Sequence, residues 1–169
     1  MDVFDAIRSK RAVRKYTDDP LPREVITQIL QAGRRAQSSK NTQPWQFIVV
    51  SDRETLEQLG TTGDYLGHVP SAALCIVLAM PTDGHQGWKM FDLGQAASYM
   101  QLAAEALGVG SCIGAIHRPD AARALLNIPA THTALALISF GYPHPDDERS
   151  AIVTQGRKSL DDITHWETW

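Results

Sequence analysis

The sequence predicts an α/β or α+β domain with helices packed on a sheet. Three observations carry this. Segments with strand and helix patterns alternate along the chain. The run Ala72 to Met80 is apolar throughout, which suits a central strand covered on both faces. From about Phe91 to Leu107, small and large apolar residues cover a wide helical arc, which marks a helix buried deep in the fold.

The elements follow in order. Asp2 is a natural N-cap for a first helix to about Ser9, with Val3, Phe4 and Ile7 on one face. The basic stretch Lys10 to Tyr16 comes next, and then Thr17-Asp18-Asp19-Pro20 reads as a turn. A second helix is expected from Pro22, at the first helical position, to about Ala36, with Val25, Ile26, Ile29 and Leu30 as its stripe. Gln37 to Pro44 is a polar loop that leads into a strand over 45–50. A short helix around Arg53–Gly60 precedes a loop containing Gly63, Gly67 and Pro70. After the long helix, Gly108 suits a left-handed cap. A strand at Ser111–Ile116, a helix from Pro119 to Leu126 and a strand at Ala134–Phe140 complete the body. The polar tail ends in two tryptophans, Trp166 and Trp169.

Composition bounds the function. The chain has 169 residues, 43% hydrophobic and 21% charged, as globular proteins do, so one domain over 1–169 is expected and disorder is excluded. The net charge of −3 argues against general nucleic-acid binding, and no apolar run is long enough to span a membrane. The first residues are acidic and lack the apolar stretch of a secretory signal. Cys75 and Cys112 both sit in apolar stretches and read as reduced, buried thiols of a cytoplasmic protein.

Several chemistries find no support. The Gly108–Gly114 stretch has GxGxxxG spacing, follows a helix and opens a strand, so it is not a dinucleotide-binding fingerprint. No Walker A or GxSxG motif occurs. The six histidines lack metal-ligand spacing and read as surface residues, so no metal is expected. What stands out is a local excess of cations, Lys10, Arg11 and Arg14, because an Arg fork matches a phosphate and a Lys adds a point charge. A second feature is the polar loop Ser38-Ser39-Lys40-Asn41-Thr42-Gln43-Pro44-Trp45, whose hydroxyls and amides can hydrogen-bond a heteroaromatic edge.

Read together, these pieces resemble the nitroreductase family of flavin mononucleotide (FMN) enzymes, in its short form. The matching stretches are Lys-Arg-Ala-Val-Arg-Lys-Tyr at 10–16 and Ser-Ser-Lys-Asn-Thr-Gln-Pro-Trp-Gln-Phe-Ile-Val-Val at 38–50. They continue with the glycine-rich 106–114, Leu126-Asn127-Ile128-Pro129, Phe140-Gly141-Tyr142-Pro143 and Gly156-Arg157-Lys158-Ser159-Leu160. The resemblance implies an α+β fold with a mixed, mostly antiparallel sheet flanked by helices, paired as an intertwined homodimer with non-covalent FMN at the subunit interface. By resemblance, Lys10, Arg11 and Arg14 with Arg157 bind the phosphate. Ser38, Ser39 and Asn41 line the flavin, the serines from the partner subunit, while the backbone of Gly114 and Ala115 lies against the ring near N5. The C-terminal arm, about 150–169, wraps the partner.

Four departures stand out. Ala12 replaces a usual Ser, Gln37 replaces a common Pro, and Ile116-His117 stands where an aromatic or apolar residue followed by an acid is frequent. The Lys that longer members place near flavin N1 and O2 has no counterpart. The implied activity is ping-pong reduction of a nitroaromatic, quinone or activated enone by NAD(P)H, with hydride passing through N5 and no side chain assigned as catalytic. Ene reduction, dehalogenation, flavin breakdown and non-enzymatic flavin binding are the alternatives. Tyr65, His68 and Trp88 are candidates for the pocket over the flavin.

Overall fold

The structure is a computed structural model that describes residues 1–147 and 157–169. Gly156 and residues 150–156 of the expected arm lie outside the described residues. In chain order the elements are α1 (Val3–Ser9), α2 (Arg23–Arg34), a 3-10 turn (Ser39–Asn41), β1 (Gln46–Val50), α3 (Arg53–Gly60) and β2 (Leu74–Pro81). These are followed by α4 (Gln86–Ala106), β3 (Gly110–Ala115), α5 (Pro119–Leu125), β4 (His132–Gly141) and a second 3-10 turn (Asp161–Ile163).

The strands form one sheet in the order β1-β2-β4-β3, and every ladder is antiparallel. This corrects the mixed sheet expected from the resemblance. The long helix α4 carries the chain back so that β3 starts at the same end as β2. A parallel pair would follow if the two were neighbours. Instead β4 lies between them and pairs with both in the opposite sense. Among the described residues, the parallel contact is confined to an isolated bridge between Ala12 and Ser111.

Alternation along β2 and β4 gives the sheet two buried faces. Ile76, Leu78, Ile138 and Phe140 meet Ile29, Leu93 and Met100 from α2 and α4. Cys75, Val77, Ala79 and Leu137 meet Leu56, Leu59 and Ala122 from α3 and α5. Burial on both faces explains why the β2 segment is apolar throughout. Both cysteines are free and buried.

Local chemistry sets the element ends. The Asp2 carboxylate accepts from Asp5 N at 2.8 Å and starts α1. Pro22 sits one position earlier than expected, as N-cap of α2 with extended ψ of 146°. The long helix begins five residues before Phe91, because His85 Nδ1 accepts from Trp88 N and caps a first turn whose polar residues hide the helical period. Gly108, at φ +74°, ends it in the left-handed conformation, and Val109 N closes the turn on Ala104 O at 2.8 Å.

The basic segment 10–16 is held across one end of the sheet. Val13 N donates to Ser111 O at 3.0 Å, and Thr17 N to Tyr142 O at 2.9 Å. Two glycines make room for it. A Cβ on Gly110 would lie 2.7 Å from Val13 Cγ1, and one on Gly141 would lie 2.8 Å from Tyr16 Cδ1. The apolar side chains Val3, Phe4 and Ile7 of α1 are exposed, as are Trp88, Phe91 and Tyr99 of α4 and Leu160, Ile163, Trp166 and Trp169 of the tail. No helix among the described residues is long and apolar enough to cross a membrane.

Candidate functional site

A cavity of about 860 Å³ opens beside β3, lined by Arg14 and Lys15, by Tyr65, Gly67, His68 and Ser71, and by strand residues 112–115. Its volume lies within the range of small-molecule and cofactor sites. Three features of the chain shape it.

The first is the outer edge of β3. The Ser111 carbonyl points away from β4, since it accepts from Val13 N. By the alternation of an antiparallel strand, Ile113 and Ala115 also turn their backbone groups outward. Among the described residues no further strand pairs with this edge, and Ile113 and Ala115 line the cavity along it. The second is Gly114, where a Cβ would collide with Leu66 Cδ2. A side chain there would push Leu66 away and fill the space beside the strand.

The third is the placement of Arg14. The Asp147 carboxylate accepts from both Arg14 N and Lys15 N at 2.9 Å and so fixes the backbone that carries the guanidinium. The Arg14 guanidinium hydrogen-bonds no described residue and is available to an anion. Its charge reaches both Cys112 and His68. Burial pushes the Cys112 thiol up, with Arg14 and Lys10 pulling the other way, so it is a neutral thiol in the wall.

The other expected site residues divide into groups. Lys10 Nζ donates to the carbonyls of Arg11 at 2.7 Å and Ser111 at 3.2 Å, outside the cavity lining. Burial lowers the Lys10 pKa first, Cys112 and Glu105 pull it the other way, and the nearby Arg11 and Arg14 add to the fall. Arg11 Nη1 donates to Lys10 O at 2.7 Å, and Ala12 forms the bridge to Ser111. Arg157 is exposed and does not line the cavity.

Ser38, Ser39 and Asn41 stand apart from the cavity, against the start of α4. Ser39 N donates to the buried Asp92 carboxylate at 3.0 Å, and Gln43 N donates to Ser38 Oγ at 2.9 Å. Lys40, Asn41 and Gln43 in that loop have φ of 51°, 55° and 47°. Only Asn takes such values with any ease, so neighbouring contacts must hold the loop in shape. Trp45 is buried, as its place at the end of the loop suggests.

Of the three candidates for the pocket wall, Tyr65 and His68 line the cavity and Trp88 does not. The surface reading of the histidines is corrected at His68, which is only 6% exposed and hydrogen-bonds Ser139 Oγ at 2.8 Å. Sequence reasoning also missed Leu66, Asp147, Asp92 and the Tyr16–Ser139 pair, none of which carries a local signal.

Burial first, and then the Arg14 charge, hold the His68 pKa at about 4, below its ordinary 6.5. Between these values the unfolded chain binds the proton and the folded chain does not. This part of the stability is therefore complete above pH 6.5 and is lost as pH falls from 6.5 towards 4. Urea unfolding at pH 7 and pH 5 should show a larger loss for the wild type than for His68→Phe. Equal losses would reject the buried neutral histidine.

The chain has relatives among known proteins. The nitroreductase family profile matches residues 7–62 and 64–142. A protein of Archaeoglobus fulgidus described as a "Putative NADH dehydrogenase/NAD(P)H nitroreductase" is 35% identical over 170 residues, spanning 96% of each chain. An FMN-dependent nitroreductase structure from Clostridium difficile R20291 is 29% identical with a TM-score of 0.84, over 98% of this chain and 99% of that one. A structure from Desulfovibrio desulfuricans, solved in complex with FMN, is 27% identical with a TM-score of 0.83, over 100% of this chain and 98% of that one.

Proposed function

The chain belongs to the nitroreductase family, and from that premise we propose that it is an FMN-dependent oxidoreductase that uses NAD(P)H to reduce an electron-poor acceptor, such as a nitroaromatic, a quinone or an activated enone. The observation that carries this reading is the open edge of β3. It offers outward N–H groups, a glycine and a guanidinium that hydrogen-bonds no described residue in one cavity.

The residues fit the cofactor. Arg14 offers the cavity a cation that hydrogen-bonds no described residue, and the Ile113 and Ala115 amides can donate to acceptors on the edge of a flat ring. Bound FMN supplies a ring that accepts hydride at N5 from NAD(P)H and passes it to the acceptor. The chain's part is to bind and orient. Lys10, Arg11, Arg14 and Arg157 supply cations for the phosphate, while the Gly114 and Ala115 backbone keeps one ring edge free of bulk. Asp147 keeps the Arg14 backbone in place.

The functional unit is a homodimer with the sites at its interface, and the partner's serine loop completes each site. This accounts for Ser38, Ser39 and Asn41 standing away from the cavity of their own chain. The exposed apolar residues of α1 and α4, and Trp166 and Trp169 at 84% and 100% exposure, support a second copy as their cover. The arm over about 150–169 is the segment that wraps it.

The absorption spectrum of the purified protein tests the reading. We expect a flavin spectrum that bleaches anaerobically on addition of NADPH or NADH. A colourless protein that takes up no added FMN would overturn it.

A further inference from the structure

His68 is the polar group on the cavity wall whose protons the surrounding geometry determines. Its Nδ1 lies 2.8 Å from Ser139 Oγ. Ser139 Oγ lies 2.6 Å from Tyr16 Oη, and Tyr16 Oη lies 2.6 Å from the Val13 carbonyl oxygen. All three side chains are buried. Contacts this short each need one proton between the heavy atoms.

The protons can be assigned from the far end. A carbonyl has none to give, so the Tyr16 hydroxyl donates to Val13. The Tyr16 oxygen must then accept, and the donor is the Ser139 hydroxyl. Ser139 has spent its single proton, so its oxygen accepts from the Nδ1–H of His68. Two longer alternatives exist, Ser139 to the Cys112 carbonyl at 3.3 Å and Tyr16 to the Ser139 carbonyl at 3.4 Å. Either would leave two lone pairs facing each other across a 2.6 Å contact. One arrangement therefore satisfies the chain.

A neutral imidazole with its proton on Nδ1 carries a bare lone pair on Nε2. That atom lies 3.5 Å from the point a Cβ on Gly114 would occupy, and His68 lines the cavity. Among the described residues, the hydrogen bond to this ring is the one at Nδ1. The ring thus presents an acceptor beside the strand whose amides present donors.

We propose that His68 is a positioning residue that offers Nε2 as a hydrogen-bond acceptor to the ligand and admits a flavin only when an N–H or O–H donor faces it. The inference rests on the FMN reading above. It assigns the flavin an orientation. The oxidised ring has one donor, its imide N3–H, and the ribityl chain supplies the others. A ring turned to put a carbonyl or ring nitrogen against Nε2 would set lone pair against lone pair, so the wrong orientation is rejected as well as the right one favoured. The polar chain behind the ring, anchored on Val13 one residue before Arg14, holds the tautomer.

Long-range proton–nitrogen NMR reads the tautomer directly in the FMN-loaded wild type. Nδ1 should have the pyrrole-type shift and Nε2 the pyridine-type shift, and Ser139→Ala should lose this preference. A wild-type His68 protonated on Nε2 alone overturns the proposal, and this measurement needs no variant. In binding titrations, His68→Phe should weaken FMN about tenfold, the worth of one hydrogen bond. An unchanged affinity in a variant that gives a native circular dichroism spectrum also overturns it.

Two analogues locate the donor. Discrimination by the wild type against N3-methyl-FMN, lost in His68→Phe, assigns the imide. Equal binding of the two, with His68→Phe weakening FMN but not lumiflavin, assigns a ribityl hydroxyl. A wild type that takes up no FMN defeats the cofactor reading instead, and NMR on the flavin-free protein still decides the tautomer.

Discussion

The double variant Arg14→Ala/Arg157→Ala should release the flavin, with the FMN Kd rising by about two to four orders of magnitude. Hydrogen bonds to charged groups contribute roughly 1.5–3 kcal/mol each, and every 1.4 kcal/mol is about a factor of ten. Arg14 should carry more of the effect as a single variant, because it lines the cavity while Arg157 reaches a site only from the exposed tail. Raising ionic strength should weaken the wild type more than the double variant, since the lost interaction is between charges. Arg23→Ala, an exposed cation at the start of α2, serves as the control and should bind FMN as the wild type does. Fluorescence titration of the flavin-free proteins gives each of these constants. Full retention of FMN by the double variant would reject both arginines as phosphate ligands.

Phe140→Ala should produce the largest loss of stability. Phe140 is fully buried in the core between the sheet and the α2–α4 layer. Its strand is central, with Leu74 of β2 on one side and Ser111 of β3 on the other. Truncating a buried Phe costs about 3–5 kcal/mol, through the lost transfer energy and the cavity left behind. For a chain of this size each kcal/mol lowers the melting temperature by about 2–4 °C, so a fall of roughly 6–20 °C is expected. The flavin-free protein is the one to melt, because bound ligand would mask part of the change. Neighbouring strand residues face opposite sides, so Ser139 keeps its place under His68 and FMN should still bind well below the melting temperature. A change of under 1 kcal/mol would mean that the α2–α4 layer closes over the void.

Much of the fold was legible because its signals are local. The Asp2 cap, the Gly108 terminator and the continuous apolar run of β2 each act within a few residues, and each element they define is present. The start of α4 was missed because its first turn carries no apolar period and is capped by a histidine, an uncommon choice. The sheet order was not legible in the residues, because a strand–helix–strand pattern is compatible with a neighbouring parallel strand or with one placed between.

The site divides along the same line. Lys10, Arg11 and Arg14 declare themselves as a cluster in an acidic chain, and no amount of periodicity says which of them faces a cavity. Asp147 holds Arg14 from 133 positions away, and Ser139 holds His68 from 71 positions away. Such pairs have no signature in a single sequence, since either partner is unremarkable until the chain brings them together.

By itself, then, the sequence determined the elements, those of their ends that carry a local cap or terminator, the local density of cations and the family resemblance. All of these rest on interactions within a few residues or on an ordered set of short motifs. The tertiary structure decided the antiparallel order of the sheet, the outward turn of the Ile113 and Ala115 amides, the burial of His68 and the direction of its protons. Those properties depend on which distant segments share a face. Strand order and burial settle that, because a hydrogen bond acquires its partner, its desolvation and its polarity only when the whole chain has closed around it.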